Sequence, residues 1–278
     1  MTTADVAKAF APAKINLALH VTGQRADGYH LLESLVAFAN VGDQLTARLA
    51  TSPSLRVQGP LAAGVPTGPE NLVLKAAAWA GHGASFELEK NLPSAAGIGG
   101  GSSDAAAALR ALEALTGQPC DTARLAELGA DVPVCYFGRA CLMRGVGEQV
   151  EAAALPPVAA VLANPRVEVA TPRVFGQLTR KDNGPLPPLP ELGDVDGLVA
   201  YLADKTRNDL ETPALALAPV IGEVLDRLWA LDGARLARMS GSGATCFALF
   251  DDFGAADRAA ATLQAQRPDW WVSAVWLS

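Results

Sequence analysis

The stretch Pro93-Ser-Ala-Ala-Gly-Ile-Gly-Gly-Gly-Ser-Ser-Asp104 runs directly into an alanine-rich segment, and it constrains this 278-residue chain more than any other feature. Ala105, Ala108, Leu109, Leu112 and Leu115 recur at helical spacing, so a helix is expected from Asp104 to about Leu115. Ser102 or Ser103 is the expected N-cap, and Thr116-Gly117 the expected end. A glycine-rich turn that opens onto a helix is a physical anion site. Glycines let backbone N–H groups approach oxygen atoms, and the helix dipole adds positive potential there. Gly97, Gly99, Gly100, Gly101, Ser102 and Ser103 have that arrangement, against the plainer reading of a flexible loop before an ordinary capped helix.

The common phosphate loops do not fit. Walker A needs a Gly-Lys pair, and the chain has none. The dinucleotide fingerprint fails because the third glycine position, counted from Gly97 and Gly99, is Ser102. Neither H-R-D nor D-F-G occurs, and no nucleophile elbow surrounds Ser102 or Ser242.

Elsewhere the pattern mixes strands and helices without regular alternation, which points to an α+β fold. Lys14 to Val21 alternates polar and apolar, the mark of a half-buried strand. Further strands are expected at 44–49, 85–89, 158–162, 246–250 and 270–277, and helices at 71–79, 196–204, 219–231 and 255–266. Pro185 to Pro190 is polyproline-like and reads as a stiff connector. A second half begins after Pro156, which divides the chain into domains at 1–155 and 156–278.

Half the residues are hydrophobic and the formal net charge is −7, so nothing global favours nucleic acid or an anionic membrane. An anionic ligand would need a local positive site. No apolar run approaches the roughly 20 residues of a membrane span, and a soluble, cytoplasmic protein is expected. Cys120, Cys135, Cys141 and Cys246 form no C-x-x-C pair, and His20, His30 and His82 form no H-x-x-x-H. A structural zinc site and a disulfide framework are therefore not expected.

Pro93 to Ala107 resembles the second motif of the GHMP kinases. Ala11-Pro-Ala-Lys-Ile-Asn-Leu and Ser240-Gly-Ser-Gly-Ala-Thr resemble the motifs near the two ends of that family, in the same order and at similar spacing. Gly23-Gln-Arg-Ala-Asp-Gly-Tyr29-His30, Pro69-Glu-Asn71-Leu, Gly129-Ala-Asp131-Val-Pro133 and Asn208-Asp-Leu-Glu211 narrow the likeness to the branch that phosphorylates a cytidylated alcohol. The resemblance spans essentially the whole chain. It implies a two-lobed fold with mixed or antiparallel sheets and an active-site cleft between the lobes. It also implies transfer of the γ-phosphoryl group of ATP to a tertiary hydroxyl.

Residue by residue, the resemblance makes Asp131 the proton acceptor and places Lys14 beside it. Pro93, Gly97, Ile98, Gly99, Gly100, Gly101, Ser102 and Ser103 would hold the ATP phosphates, and Asn71 and Lys90 would contact adenine. Tyr29 and Phe175 would stack on the cytosine, His30 would bond its edge, and Thr171 would share that pocket. Asn16 would orient the substrate or Lys14, and Gly241, Ser242 and Gly243 would buttress the phosphate loop or touch the substrate. Asp104 reads as an acidic residue favouring the helix N-terminus rather than a metal ligand. Mg²⁺ is expected to arrive with ATP, held by phosphates, water and Ser103, with no dedicated protein cage. No protein partner is indicated.

Two departures from the family pattern stand out. The segment Asp121 to Gly129 is short, which puts the placement of Asp131 in question, and Ser94-Ala95-Ala96 replaces residues often glycine or methionine there. Competing readings are a homoserine- or mevalonate-type kinase, an inactive nucleotide sensor on the same fold, and a serine hydrolase using Ser102 or Ser242. Tyr29, His30 and Phe175 speak against the first, and the presence of both Lys14 and Asp131 against the second. The third lacks an elbow and a histidine partner.

Overall fold

The computed structural model describes residues 6–278, which fall into two compact units. One takes the chain up to Ala13, Val41–Ser94 and Gly99–Gly138; the other takes Lys14–Asn40, Ala95–Ile98 and Arg139–Ser278. Both draw on two long strands that pair with each other, β1 (Ala7–Gln24) and β2 (His30–Leu49).

In the first unit the chain continues through β3 (Ser54–Gln58), α1 (Leu72–Trp79) and β4 (Ala84–Glu89). Strand β4 pairs antiparallel with β2 from Gln44 to Leu49 and parallel with β3, so this part of the sheet is mixed. Then come α2 (Gly100–Thr116), a short 3₁₀ turn at Thr122–Glu127, and α3 (Val132–Phe137). Leu45, Phe86 and Leu88 from the sheet share one core with Val73, Leu109, Leu112, Leu115 and Val132 from the helices.

Helix α2 begins four residues earlier than the periodicity suggests. Its N-cap is Gly99, at φ +66°, and neither Ser102 nor Ser103 fills that role. The left-handed cap conformation suits glycine, and the Ser103 hydroxyl is turned inward, donating to the Pro12 carbonyl at 2.8 Å. The expected stripe is buried, but so are Ala106, Ala107 and Ala111. Small side chains let the helix sink beyond one face. Its far end closes at Gly117, as read from the sequence, with the N–H bonded to the Glu113 carbonyl.

The second unit adds β5 (Cys141–Gly145), β6 (Gln149–Ala152), β7 (Val158–Asn164), α4 (Thr171–Gly176), α5 (Val195–Lys205) and α6 (Glu211–Leu217). It ends with α7 (Val220–Trp229), β8 (Leu236–Met239), β9 (Cys246–Phe250), α8 (Phe253–Gln266) and β10 (Trp271–Leu277). Strand β7 lies between β10 and β9, antiparallel to both, and β8 pairs with the other edge of β9. The β5–β6 hairpin joins β2 between Leu32 and Val36.

Strand β1 corrects the half-buried reading: every residue from Lys14 to Val21 is buried. Its polar side chains are accommodated by partners. Asn16 donates to the Ser34 hydroxyl at 2.7 Å, while the His20 ring meets the Gly184 carbonyl and the Arg207 N–H. Burial lowers the His20 pKa, in keeping with a neutral ring that donates from one nitrogen and accepts at the other.

The stems that flank the glycine loop, both in the first unit, are anchored by charge. Lys90, at the end of β4, is 3% exposed, and its ammonium lies between Asp43 of β2 and Asp104 of α2, 2.8 Å from the latter. Asp43 also accepts the N–H groups of Asn91 and Leu92. Asp104 is thus a buried ion-pair partner within α2, not an acidic residue at its first turn.

Two measurements test this clamp. Lys90→Met leaves two carboxylates facing each other out of water, and should lower the unfolding free energy by about 3–5 kcal/mol in urea titration. Burial first, and Asp43 nearby, push the Asp104 carboxyl up to about 7 despite Lys90. The native fold therefore binds this proton more tightly than the unfolded chain, whose aspartates titrate near about 4. Asp104's contribution is most favourable below that value and declines as pH rises to about 7. Relative to Asp104→Asn, the natural chain should lose stability across that window; a relative gain would refute the assignment.

Candidate active site

The glycine turn leaves its unit-spanning stretch with two left-handed residues, Gly97 at φ +72° and Gly99 at φ +66°. A Cβ on Gly97 would come within 2.5 Å of the Ser240 carbonyl, so only glycine fits. At the start of α2 the N–H groups of Gly100, Gly101 and Ser102 have no acceptor within the helix, which is the physical basis of an anion site. Pro93 and Ile98 are buried beside this turn.

Asp131 sits at the N-cap position of α3, yet its carboxylate makes no capping bond to that helix. Capping therefore does not account for the side chain. Helix α3 is fixed to α2 by Arg110, which donates to the carbonyls of Cys135, Tyr136 and Phe10, and by the Tyr136 hydroxyl on Glu113. Arg110 and Glu113 carried no signal in the sequence beyond their place on a helix. The short segment before Asp131 forms the 3₁₀ turn, capped by Asp121 through the Ala123 N–H.

Two expected ATP contacts look different in three dimensions. The Asn71 side chain is the N-cap of α1, accepting the Val73 N–H at 2.9 Å and donating to the Pro66 carbonyl at 2.7 Å. The Lys90 ammonium is enclosed by its two carboxylates. Neither residue presents a free side-chain group in this arrangement.

In the second unit, Lys14 and Asn16 share one face of β1, two residues apart, and both are buried. The Lys14 N–H donates to the Ile98 carbonyl, and the Asn16 N–H to the Ser240 hydroxyl. That hydroxyl donates in turn to the Gly97 carbonyl at 3.1 Å. The Ser242 and Thr171 hydroxyls meet at 2.8 Å. Gly241 and Gly243 take φ +55° and +85°, and a Cβ on Gly241 would lie 2.7 Å from the Gly97 carbonyl.

A cavity of about 540 Å³ in the same unit is lined by Tyr29, His30, Thr171 and Phe175, together with Gln24 and Lys181, which sequence reasoning missed. The His30 ring stacks on Phe175 at 4.7 Å, and Tyr29 is 62% exposed. Burial, then the Lys181 charge, lowers the His30 pKa, which favours a neutral imidazole. Its buried Nε2 has no hydrogen-bond partner.

Among the described residues no group of three or more His, Cys, Asp or Glu side chains could hold a metal ion. The Ser103 hydroxyl donates to the Pro12 carbonyl, and one Asp104 oxygen accepts from Lys90 while the other has no hydrogen-bond partner. No described helix is long and apolar enough to cross a membrane.

Comparison with known proteins matches the N-terminal domain of GHMP kinases at residues 71–143 and their C-terminal domain at 188–269. A 4-diphosphocytidyl-2-C-methyl-D-erythritol kinase of Cereibacter sphaeroides is 56% identical over 270 residues, covering 95% of this chain and 97% of its relative. One from Paracoccus denitrificans is 52% identical over 267 residues, covering 95% and 94%. A crystal structure of 4-(cytidine 5'-diphospho)-2C-methyl-D-erythritol kinase superposes with TM-score 0.80 at 38% identity, over 98% of this chain and 99% of that one. The homoserine kinase of Cytophaga hutchinsonii, at 19% identity and TM-score 0.64 over 99% and 96%, shares the fold. The chain is an ATP-using small-molecule kinase, and it belongs to the 4-diphosphocytidyl-2-C-methyl-D-erythritol kinases of the GHMP kinase family.

Proposed function

We propose that this chain transfers the γ-phosphoryl group of ATP to the tertiary 2-hydroxyl of 4-diphosphocytidyl-2-C-methyl-D-erythritol. The products are the 2-phosphate and ADP, a step of non-mevalonate isoprenoid precursor biosynthesis. The reading of the substrate rests on one observation in particular: a cavity holding a stacked His30–Phe175 pair whose imidazole keeps an unpaired, buried Nε2. A pyrimidine edge supplies the missing hydrogen bond, and Tyr29 supplies a second aromatic face. Each base–aromatic stack is worth about 1–3 kcal/mol. A domain division at 155/156 is part of the same proposal, and the family segments matched at residues 71–143 and 188–269 are compatible with it.

Phosphoryl transfer asks the protein mainly to position reactants and neutralise charge. The turn from Gly97 to Ser103 receives the ATP phosphates on backbone N–H groups, with Pro93 and Ile98 holding its shape. Asn71 and Lys90 belong to the adenine site as framework, since their backbone groups are bonded to Gly68, Lys75, Gln58 and Leu61 and their side chains to the partners given above. Asp131 accepts the hydroxyl proton; a carboxylate is a feeble base toward an alcohol, so the proton leaves late, as the P–O bond forms. The Lys14 ammonium offsets the developing charge, an effect of roughly 4 kcal/mol at about 4 Å and an effective dielectric of 20, before desolvation. Asn16, Thr171, Gly241, Ser242 and Gly243 orient the substrate. Mg²⁺ arrives on the nucleotide and would be held by phosphates, water and the Ser103 oxygen.

ADP release with Mg-ATP should be selective for the cytidylated alcohol over homoserine, mevalonate and galactose; preference for another of these refutes the pocket. Asp131→Ala should lower kcat at least about 100-fold with nucleotide binding retained, as measured by a fluorescent ATP analogue. Unchanged turnover would remove Asp131 as the base. Tyr29→Ala should raise KM for the cytidylated substrate about 5- to 150-fold and leave that for ATP nearly unchanged. Equal changes in both would count against stacking on cytosine.

A further inference from the structure

The segment Asn208-Asp-Leu-Glu211 has no part in the chemistry just described, yet every member but Leu210 is bonded through its side chain to a different strand or turn. Its backbone is registered on β1: Asn208 bridges Leu19, the Leu19 N–H donates to the Arg207 carbonyl, and the Asp209 N–H donates to the Leu19 carbonyl. The Asp209 carboxylate accepts the Val21 N–H at 2.7 Å. This is the strand that carries Lys14 and Asn16.

From that fixed base, two side chains grip the turn that follows β8. The Asn208 amide nitrogen donates to the carbonyls of both Met239 and Gly241, each at 2.8 Å, and its oxygen accepts the Leu210 N–H. Glu211 accepts the Met239 N–H at 2.9 Å. Asn208 is 8% exposed, so water offers these carbonyls little alternative.

The grip sets which way the turn's peptides face. In a planar trans peptide the carbonyl and the following N–H point in opposite directions. Holding the Gly241 carbonyl toward Asn208 therefore aims the Ser242 N–H away from it. The same turn reaches the glycine loop, through the Ser240 hydroxyl on the Gly97 carbonyl and the Thr245 N–H on the Ala96 carbonyl. If the Gly241 peptide turned over, it would present a carbonyl dipole where an anionic ligand needs donors.

We infer that Asn208 and Glu211 are positioning residues for phosphoryl transfer, which fix the Ser240–Gly243 turn relative to β1 and so orient the Gly97 end of the phosphate loop. The inference rests on the kinase reading above and adds to it a pair of residues that act through the turn they hold.

The test is steady-state kinetics of Asn208→Asp, Glu211→Ala and Glu211→Gln, with unfolding followed by circular dichroism. Asn208→Asp keeps the shape but faces two carbonyls with oxygen, and Glu211→Ala leaves the Met239 N–H unpaired. Both should fold cooperatively and lose kcat by about 10- to 100-fold, the scale of a sub-ångström to 1 Å misplacement. KM for the cytidylated substrate should stay unchanged, because Tyr29, His30 and Phe175 are untouched. Glu211→Gln retains the acceptor and should restore most of kcat. Unchanged kcat in the first two, or a Glu211→Gln as slow as Glu211→Ala, would overturn the inference. If Asn208→Asp does not fold, the Glu211 pair decides. Should the natural chain prefer another alcohol, the substrate reading fails, and the same three variants judge the brace with that alcohol.

Discussion

One ammonium group, in the first unit, secures the two stems that flank the glycine loop. Lys90 leads into the loop and Asp104 leads out of it through α2, and the two meet at 2.8 Å in a site almost closed to water. Asp43 completes the arrangement and fixes Asn91 and Leu92 by their N–H groups. Burying one cation with two carboxylates costs several kcal/mol in desolvation. The return is geometric. A loop rich in glycine has more conformations to lose than any other sequence, and clamping its two stems restricts the states it can explore.

This anchoring explains how an acidic chain can serve an anionic nucleotide. With a formal net charge of −7 the protein gains nothing from its overall field. In the proposed reading, attraction comes from local groups, among them the first-turn N–H groups of α2, uncovered because Gly99 caps the helix by conformation rather than by a side-chain oxygen. Had Ser102 or Ser103 capped the helix, its oxygen would have taken donors that a phosphate needs. The inward turn of Ser103 to Pro12 leaves those donors uncovered for the proposed site.

The parts legible in sequence are those encoded locally. Helix α2 and its C-terminal Gly117 follow from apolar spacing and a left-handed glycine, both readable within one short stretch. Strand β2 was legible only from Gln44 onward, because Leu35 to Ala39 are all buried and show no alternation. The enclosure of Lys90 was not legible, for the opposite reason. Its partners lie 47 and 14 residues away, and nothing about a lysine before a glycine loop shows that its charge is enclosed. The capping role of Asn71 was there to be found, since asparagine directly before Leu-Val-Leu is an N-cap signal. Asn208 and Glu211 stood out as a motif, but their function depends on a turn some thirty residues further on.

The polar atoms left without partners carry the argument one step further. Among the described residues four buried side-chain atoms lack a hydrogen bond, and two of them are Asn16 Oδ1 and His30 Nε2. Each such atom costs about 1–3 kcal/mol relative to a satisfied one. A folded chain tolerates that cost most readily where a ligand completes the bond. Asn16 is otherwise fully engaged, through its N–H on Ser240 and its amide on Ser34, so its free oxygen is held rigidly close to Gly241. His30 is likewise fixed by its stack on Phe175. Rigid, dry and unsatisfied polar atoms lose little entropy on binding and recover a desolvation penalty already incurred in folding. Both belong to residues that the proposed function assigns to substrate, so binding there would recover an energetic cost present in the fold.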